Sequence, residues 1–272
     1  MVFLYSDIYI KSLKETAERT RPPMTLPPLY PHKTDAMRKL QNLVSRGHAR
    51  WTGGQIKPRK LPALCLKFAD RYGVERTAQQ RWRAKAQGEA SAHLVLWPGE
   101  PYSSQKRVYW WLVVSPGGGL VVELEQLQDV GRQRIELTGY ELVQMPRKGR
   151  PAAWTWRMTV ANYTAWEERL RTVIRHHDEP GIRQSLHSLR RTPPFAESRR
   201  QAFELGRLAQ AEWQRAQRGP CPYDGLYVGW FGRFQVAKLL PTSAKEKCNK
   251  ESDSGELAGF GKRTRQNNKS AS

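Results

Sequence analysis

Apolar residues recur at helical spacing through the first third of the chain. Between residues 34 and 47 they stand three or four positions apart, which is typical of a short amphipathic helix. A second helix is predicted over residues 58–73, where Gly73 can adopt the left-handed conformation of a C-cap. A third helix is predicted after Thr77, a residue type that caps helix N-termini, and it ends before Gly88.

From residue 93 onward the hydrophobic period falls to two, which predicts strands separated by turns rich in Pro and Gly. The predicted strands are residues 93–97, 107–114, 119–124, 132–145 and 152–160, a meander of about four or five strands. The second strand is apolar on both faces, and it is therefore expected in the centre of the sheet. The last strand places Trp154, Trp156 and Met158 on one face, which predicts one dry face.

Helical spacing returns after the strands. Three further helices are predicted over residues 162–175, 181–191 and 195–218, and the first carries an apolar stripe that would cover the open face of the sheet. Residues 221–241 alternate aromatic residues with glycines and predict a docked hairpin. The expected fold class is α+β, with a basic N-terminal helical region, a central antiparallel meander and C-terminal helices packed on it.

Shifts in composition divide the chain into four predicted segments. They are an N-terminal extension (1–33), a basic helical region (34–88), an α+β core (89–243) and a disordered tail (244–272). The end of the extension, residues 21–31, contains five prolines and predicts an extended linker. Met24 would also make a natural start, so the sequence leaves open whether residues 1–23 belong to the native protein.

Positive charge is concentrated in one part of the sequence. The 272 residues carry 46 Lys and Arg against 25 Asp and Glu, a formal net charge of +21. Residues 34–87 alone hold 13 Lys and Arg against 3 Asp and Glu. Such a concentration favours a polyanionic partner such as nucleic acid, with a plain solvated basic face as the alternative.

Several classes of protein are disfavoured. The longest apolar run, Val108 to Val114, is far shorter than the roughly 20 residues of a membrane span. The three cysteines include no C-x-x-C spacing, which favours a reducing compartment and predicts neither a disulfide framework nor a zinc site. The first residues lack a basic leader, and Asp7 interrupts their apolar stretch, so secretion is not expected. We expect a cytoplasmic protein.

Residues 64–87 resemble a helix-turn-helix. Ala69 and Gly73 are four positions apart, a hydrophobic residue follows, and a short turn leads to a basic second helix. Gln79 departs from the pattern, because such motifs bury Val or Ile there, and Trp82 fits the next inward position only with a slight rotation. The alternative is an ordinary helical hairpin with a solvated basic face. The candidate nucleic-acid contacts of this region are Arg59, Lys60, Arg76, Gln79, Gln80, Arg81, Arg83 and Lys85.

Two further basic features are candidates for nucleic-acid contacts. The predicted turn with Arg147, Lys148 and Arg150 is similar to the G-R-P core of an AT-hook, with a basic surface turn as the alternative. The last long helix presents Arg199, Arg200 and Arg207 outward, with a solvated helix exterior as the alternative. Most of the ten tryptophans fall on core stripes, and Trp51 and Trp230 are the better surface candidates.

Catalysis has little support in the sequence. His176, His177, Asp178 and Glu179 are adjacent near a helix end, where their side chains diverge, and the alternative is a plain helix terminus. Motifs of phosphate-binding loops, zinc deaminases and serine hydrolases are missing. Cys65 lies on an apolar stripe and is expected to be buried. We therefore expect a protein that is not an enzyme and that uses no metal and no cofactor.

Four short motifs carry a family resemblance. W-x-x-G at 51–54, K-F-A-x-R-Y at 67–72, G-Y-E-L-V at 139–143 and W-T-W-R-M at 154–158 resemble uncharacterised proteins of proteobacterial conjugative plasmids and integrative elements. The resemblance spans roughly residues 45–218 and implies an accessory protein of a mobile element.

The leading hypothesis is a protein that binds double-stranded DNA. The alternatives are a factor that grips an acidic protein and inhibits or regulates conjugative transfer, and an RNA-binding protein or nuclease. The sequence does not define the oligomeric state.

Overall fold

The computed structural model describes residues 27–100, 106–216, 221 and 228–236, and these form an α+β fold. Its helices are α1 (Lys33–Ser45), α2 (Leu61–Tyr72), α3 (Ala78–Ala86), α4 (Leu120–Leu124), α5 (Val160–Arg175), α6 (Glu179–Arg190) and α7 (Ala196–Ala216). Its strands are β1 (Arg50–Ile56), β2 (Ala92–Trp97), β3 (Val108–Val114), β4 (Gln128–Asp129), β5 (Glu136–Leu137), β6 (Tyr140–Arg147) and β7 (Arg150–Met158). A 3-10 turn, Pro58–Lys60, precedes α2. The α+β class and the six predicted helices are confirmed.

The first sheet is antiparallel in the order β2-β3-β1-β4. The prediction of a central strand over residues 107–114 is confirmed, because β3 lies between β2 and β1 and is apolar on both faces. Helix α1 covers one face of this sheet, and α2 packs its buried Cys65 and Phe68 on the other. Two apolar cores therefore lie on opposite sides of β3.

Strand β1 lies inside the segment whose pattern predicted only helices. Its two central residues, Gly53 and Gly54, suggested a break between helices. In the sheet they pair with Trp111 and Trp110. A Cβ on Gly53 would lie 2.8 Å from the Trp110 carbonyl oxygen, so the bare backbone is what allows this close approach. The basic helical region thus contributes a strand to the sheet of the core.

The strand predicted over residues 119–124 is wrong, because this stretch forms the short helix α4. Gly117 and Gly119 adopt positive φ values that carry the chain away from the sheet after β3. Val121 is then buried in the core shared with α2. Three apolar residues in a row fit a buried helix turn as well as a strand, and the preceding glycines decide between them.

The second sheet is antiparallel in the order β5-β6-β7, so the predicted single meander is two sheets. Trp156 and Met158 are buried, which confirms the dry face predicted for the last strand. The Trp156 indole Nε1 donates to the Met37 carbonyl oxygen at 3.0 Å and links this sheet to α1. Helices α5 and α7 pack against each other, and both contact β7. The second sheet is therefore enclosed between α1 and the C-terminal helices.

Two outlying segments dock on α1 and β2. At the end of the predicted linker, Tyr30 is buried and its backbone N–H donates to the Leu96 carbonyl oxygen at 2.9 Å. In residues 228–236, where a hairpin was predicted, the described chain contains no strand. It still docks, because the Gln235 backbone N–H donates to Asp35 Oδ2 at 3.2 Å. The predicted tail over residues 244–272 and the extension up to residue 26 lie outside the described residues.

Candidate nucleic-acid interface

The connection between α2 and α3 has the local geometry that its sequence predicts. Gly73 ends α2 with φ of 59°, in the left-handed region that glycine tolerates. Thr77 caps α3, because its side chain accepts from the Gln80 backbone N–H while the Gln80 side chain accepts from the Thr77 backbone N–H. Both predicted helix boundaries are confirmed.

The packing of α3 differs from that of a helix-turn-helix. Helix α2 buries one side against the first sheet, whereas α3 buries only Ala84. The motif matches only if Trp82 turns inward, and its side chain is 70% exposed. A recognition helix of a helix-turn-helix shares a core with the helix before it. Helix α3 instead lies on the surface with most of its side chains free to meet a partner.

Six basic side chains from three elements and one turn lie near one another beside α3. They are Lys39 of α1, Arg46 and His48 at its C-terminal end, Arg81 and Lys85 of α3, and His93 of β2. We call this group the basic cluster. The rings of His48 and His93 are in edge contact, with centroids 4.9 Å apart. The cations are close enough to these rings to lower the pKa values of both imidazoles.

Both histidines of the basic cluster are held neutral. Burial lowers the pKa of His93 to about 3, and Arg81, His48, Lys39 and Arg46 act in the same direction. Burial also lowers the pKa of His48, although the Leu43 carbonyl oxygen opposes this shift. His48 Nδ1 lies 3.1 Å from that oxygen, and because a carbonyl only accepts, Nδ1 carries the proton. The Nε2 atom of His48 is then left as an acceptor.

The cations of the basic cluster have no acidic partner among the described residues. Lys39, Arg46 and Lys85 form no ion pair within the part of the chain that the structure describes. Arg81 donates from Nη2 to the Val74 carbonyl oxygen at 2.6 Å, while its buried Nε has no hydrogen-bond partner. Burial and the neighbouring cations lower the pKa values of Lys39 and Arg81. A bound anion would relieve this repulsion between neighbouring cations.

The other candidates of the helical region differ in how free their side chains are. Gln79, Arg83 and Lys85 are exposed on α3, and Arg59 and Lys60 are exposed on the 3-10 turn before α2. Arg76 is half-buried and pairs with Glu89 at 2.7 Å, so its charge is already balanced. Gln80 is occupied by the cap of α3. The structure therefore retains Gln79, Arg83 and Lys85 as outward groups and assigns Arg76 and Gln80 local structural contacts.

The two remaining basic features lie elsewhere and do not act on the histidines. Arg147, Lys148 and Arg150 are exposed at the tip of the β6–β7 hairpin, where a turn was predicted, and Arg147 Nε donates to the Pro151 carbonyl oxygen at 2.9 Å. On α7, Arg200 pairs with Glu197 and Glu204 of the same helix. Arg199 lies over the Trp230 ring, with its guanidinium carbon 4.1 Å from the ring centroid. Arg207 is exposed at the edge of a cavity beside α7.

Four of the six members of the basic cluster were not among the sequence candidates. Lys39 and Arg46 belong to an ordinary amphipathic helix, and His48 follows its end. His93 alternates with Val95 and Trp97 on the strand face that α1 covers. Lys39, Arg46 and His48 carry no local signal in the sequence. His93 offered the only hint, because it is a polar residue at the start of an otherwise apolar strand.

The acidic histidine segment is a helix junction. His176 caps the end of α5, and Asp178 caps α6 by accepting from the Gly181 backbone N–H at 3.0 Å. Within residues 27–100, 106–216, 221 and 228–236, no three His, Cys, Asp or Glu side chains are grouped to hold a metal. Cys65 is fully buried, as predicted. No helix of these ranges combines the length and apolar character of a membrane span.

Comparison with known proteins adds no relative. No family model matches the chain, and neither a curated protein nor a solved structure matches it.

Proposed function

We propose that this protein binds nucleic acid, and double-stranded DNA in particular, through the basic cluster and the outward side of α3. The observation that carries the proposal is a group of four cations around two neutral histidines, with no ion pair from these cations to any acidic residue that the structure describes. Neighbouring cations lower one another's pKa values here, and no described acidic residue offsets this repulsion, so the cluster favours an anionic ligand. A phosphate backbone supplies such anions at regular spacing.

The exposed side of α3 adds groups that can contact bases. Gln79 can pair with the donor and acceptor of adenine in the major groove, and Arg83 with the two acceptors of guanine. Trp82 is an exposed apolar surface beside them. In this arrangement the basic cluster holds phosphates and the tip of α3 approaches the bases.

The biological setting is also proposed. The resemblance to proteins of conjugative plasmids and integrative elements favours an accessory protein of a mobile element, acting in the cytoplasm without catalysis. The scarcity of cysteines supports a reducing compartment.

The test compares two charge-removal variants of the full chain. R46A/K85A removes two exposed cations of the basic cluster, and R190A/R191A removes two exposed arginines at the end of α6 as a matched control. Fluorescence anisotropy would measure binding to a labelled random duplex, a single strand and an RNA near physiological salt. We expect the duplex to bind most tightly and R46A/K85A alone to lose roughly tenfold in affinity. Absence of binding to all three, or equal losses in both variants, would overturn the proposal.

A second candidate function is supported by a cavity of about 400 Å³ among α5, α6 and α7. Its walls include Ile174, Leu186 and Phe203, and Arg200 and Arg207 also line it. Arg200 is already paired with Glu197 and Glu204, so Arg207 is the arginine that can meet an acidic protein segment beside this apolar pocket, as expected for a factor that regulates conjugative transfer. Binding of such a partner would depend weakly on salt and would be lost in a Phe203→Glu variant but kept in R46A/K85A.

A further inference from the structure

A second open groove lies between the two sheets, away from the basic cluster. Its volume is about 770 Å³, within the usual range of small-ligand sites. Strands β1 and β3 form one wall, and the segment of residues 131–141 forms the other. None of its lining residues belongs to the basic cluster, so a ligand in this groove is independent of the proposed function.

Aromatic rings flank a bare strip of backbone in this groove. Gly53 pairs with Trp111 in antiparallel register, so Trp51, Gly53, Tyr109 and Trp111 share one face of the first sheet. The Tyr109 and Trp111 rings are nearly parallel, with an angle of 14° and centroids 6.2 Å apart. A Cβ on Gly53 would lie 3.0 Å from Trp111 Cδ1 and 3.4 Å from the Trp51 ring. Gly53 therefore leaves the bottom of the groove free of side-chain atoms, with the Trp51 and Trp111 rings on either side.

The ring of Trp51 is held in place at the side of this groove. Its indole Nε1 donates to the Gln133 carbonyl oxygen at 2.9 Å, which fixes the ring against the segment that forms the opposite wall. Trp51 and Tyr109 are each only half-buried. Both rings are thus fixed by the fold and still offer surface to a ligand.

The opposite wall supplies one fixed guanidinium and one free guanidinium. Glu141 accepts from Arg134 at 2.8 Å and from Arg157 at 2.6 Å, so Arg134 is neutralised and immobilised. Arg132 is exposed and forms no ion pair with any residue that the structure describes. Glu136, also exposed at the groove, offers a carboxylate acceptor.

We propose that this groove binds a single unpaired nucleotide, with the base against Trp51 and Tyr109 and the phosphate on Arg132. Flat aromatic rings suit a planar base, because stacking on aromatic side chains is the common way proteins hold unpaired bases. A free arginine suits the phosphate, and the Glu136 carboxylate suits an exocyclic amine of the base. The nucleotide could be free or part of a single strand, and the experiment separates the two.

The test titrates the full chain with AMP, with a short single strand, and with the same strand carrying abasic sites. We expect AMP or the intact strand to bind, and the abasic strand to bind about tenfold more weakly, because it lacks the stacked base. Binding of AMP would identify a free nucleotide as a ligand. Base-dependent binding of the strand by R46A/K85A, in which the basic cluster is weakened, would identify an unpaired nucleotide within a nucleic acid.

Variants place the ligand in the groove. R132A and Y109A should each lower affinity for the bound probe by about tenfold, with R190A/R191A as the control for lost surface charge. R46A/K85A should leave AMP binding unchanged, so failure of the basic cluster and failure of the groove are separate results. Thermal unfolding of Y109A would verify that the variant is folded, and R132A tests the groove without altering the core. Equal binding of AMP by R132A and the wild type, or no binding of AMP together with equal binding of abasic and intact strands by R46A/K85A, would overturn the proposal.

Discussion

Two regions of this protein are rich in arginine, and they use it in opposite ways. Residues 161–218 hold 11 Lys and Arg against 7 Asp and Glu, and the glutamates of α7 neutralise the neighbouring arginines. Glu212 is the clearest case, because it is buried and accepts from Arg175 at 3.1 Å and from Arg215 at 3.1 Å. These ion pairs connect α5 with α7.

The region of α1 and α3 contains cations that form no such ion pair with any described residue. Its residues 34–87 hold only 3 acidic residues, and none of them pairs with a cation of the basic cluster. Asp35 lies 3.5 Å from Arg38 and also accepts from the Gln235 backbone N–H. The comparison shows that the number of arginines on a helix does not by itself indicate unpaired positive charge. Acidic neighbours decide whether that charge is balanced.

Charge reversal in the basic cluster should give the largest effect. We expect R46E/K85E to lower duplex affinity about a hundredfold, because two attractive charges become repulsive. The double variant should remain folded, since both side chains are exposed. Anisotropy with a labelled duplex measures the loss, and R190E/R191E serves as the control. A loss of duplex affinity of less than threefold would contradict the claim that the cations of α1 and α3, unlike the arginines of α7, bind phosphate.

The matching change in α7 should affect stability and not binding. We expect E212Q to lower the free energy of unfolding by about 2 kcal/mol, because the amide cannot replace the charge that three arginines surround. Denaturant unfolding measures this change, and duplex affinity should stay within about twofold. Loss of binding together with retained stability would contradict the structural role of this cluster.

His93 should make the protein less stable in acid. Its pKa is about 3 in the folded state and 6.5 when unperturbed, so only the unfolded state takes up a proton between these values. Stability should therefore fall as the pH drops from about 6.5 toward 3, by at most about 1.4 kcal/mol per pH unit for this one proton. The free energy of unfolding of H93Q should therefore fall less with decreasing pH. Denaturant unfolding of both proteins at pH 7 and pH 5 measures this, and an equal fall in H93Q and the wild type would contradict it.

Trp82 should give the smallest change in stability. Because the side chain is 70% exposed, W82A should change the free energy of unfolding by less than about 0.5 kcal/mol. Its effect on duplex affinity should be about threefold or more if α3 faces DNA. A large destabilisation would show that the ring is packed, as the helix-turn-helix pattern expected.

The features that the sequence predicted well have local causes. Gly73 and the Thr77 and Gln80 cap fix the ends of α2 and α3 without help from distant residues. Strand β1 was missed because glycines disfavour strands locally. The reason for a glycine at position 53 is the close approach of the Trp110 backbone and the Trp111 ring, which is a tertiary contact. Local patterns also favoured a strand at α4, where the preceding glycines redirect the chain.

The candidate site was predictable only in part for the same reason. Arg81 and Lys85 were identified because they lie in a basic helix. Lys39, Arg46, His48 and His93 reach the same place from α1, the turn after it and β2, and no spacing in the sequence joins them. Conversely, Arg76 and Arg200 fit the sequence pattern, but each meets a glutamate that the pattern did not reveal as its partner.

The most direct test of the central claim is the salt dependence of duplex affinity for the wild type and R46A/K85A. Each phosphate contact contributes a slope of about 0.9 to the plot of log affinity against log salt. We predict a steep fall for the wild type and a slope shallower by roughly 1.8 for the double variant, with R190A/R191A unchanged. Identical slopes for the wild type and R46A/K85A, or a wild-type affinity that does not respond to salt, would contradict the claim that the basic cluster binds phosphate.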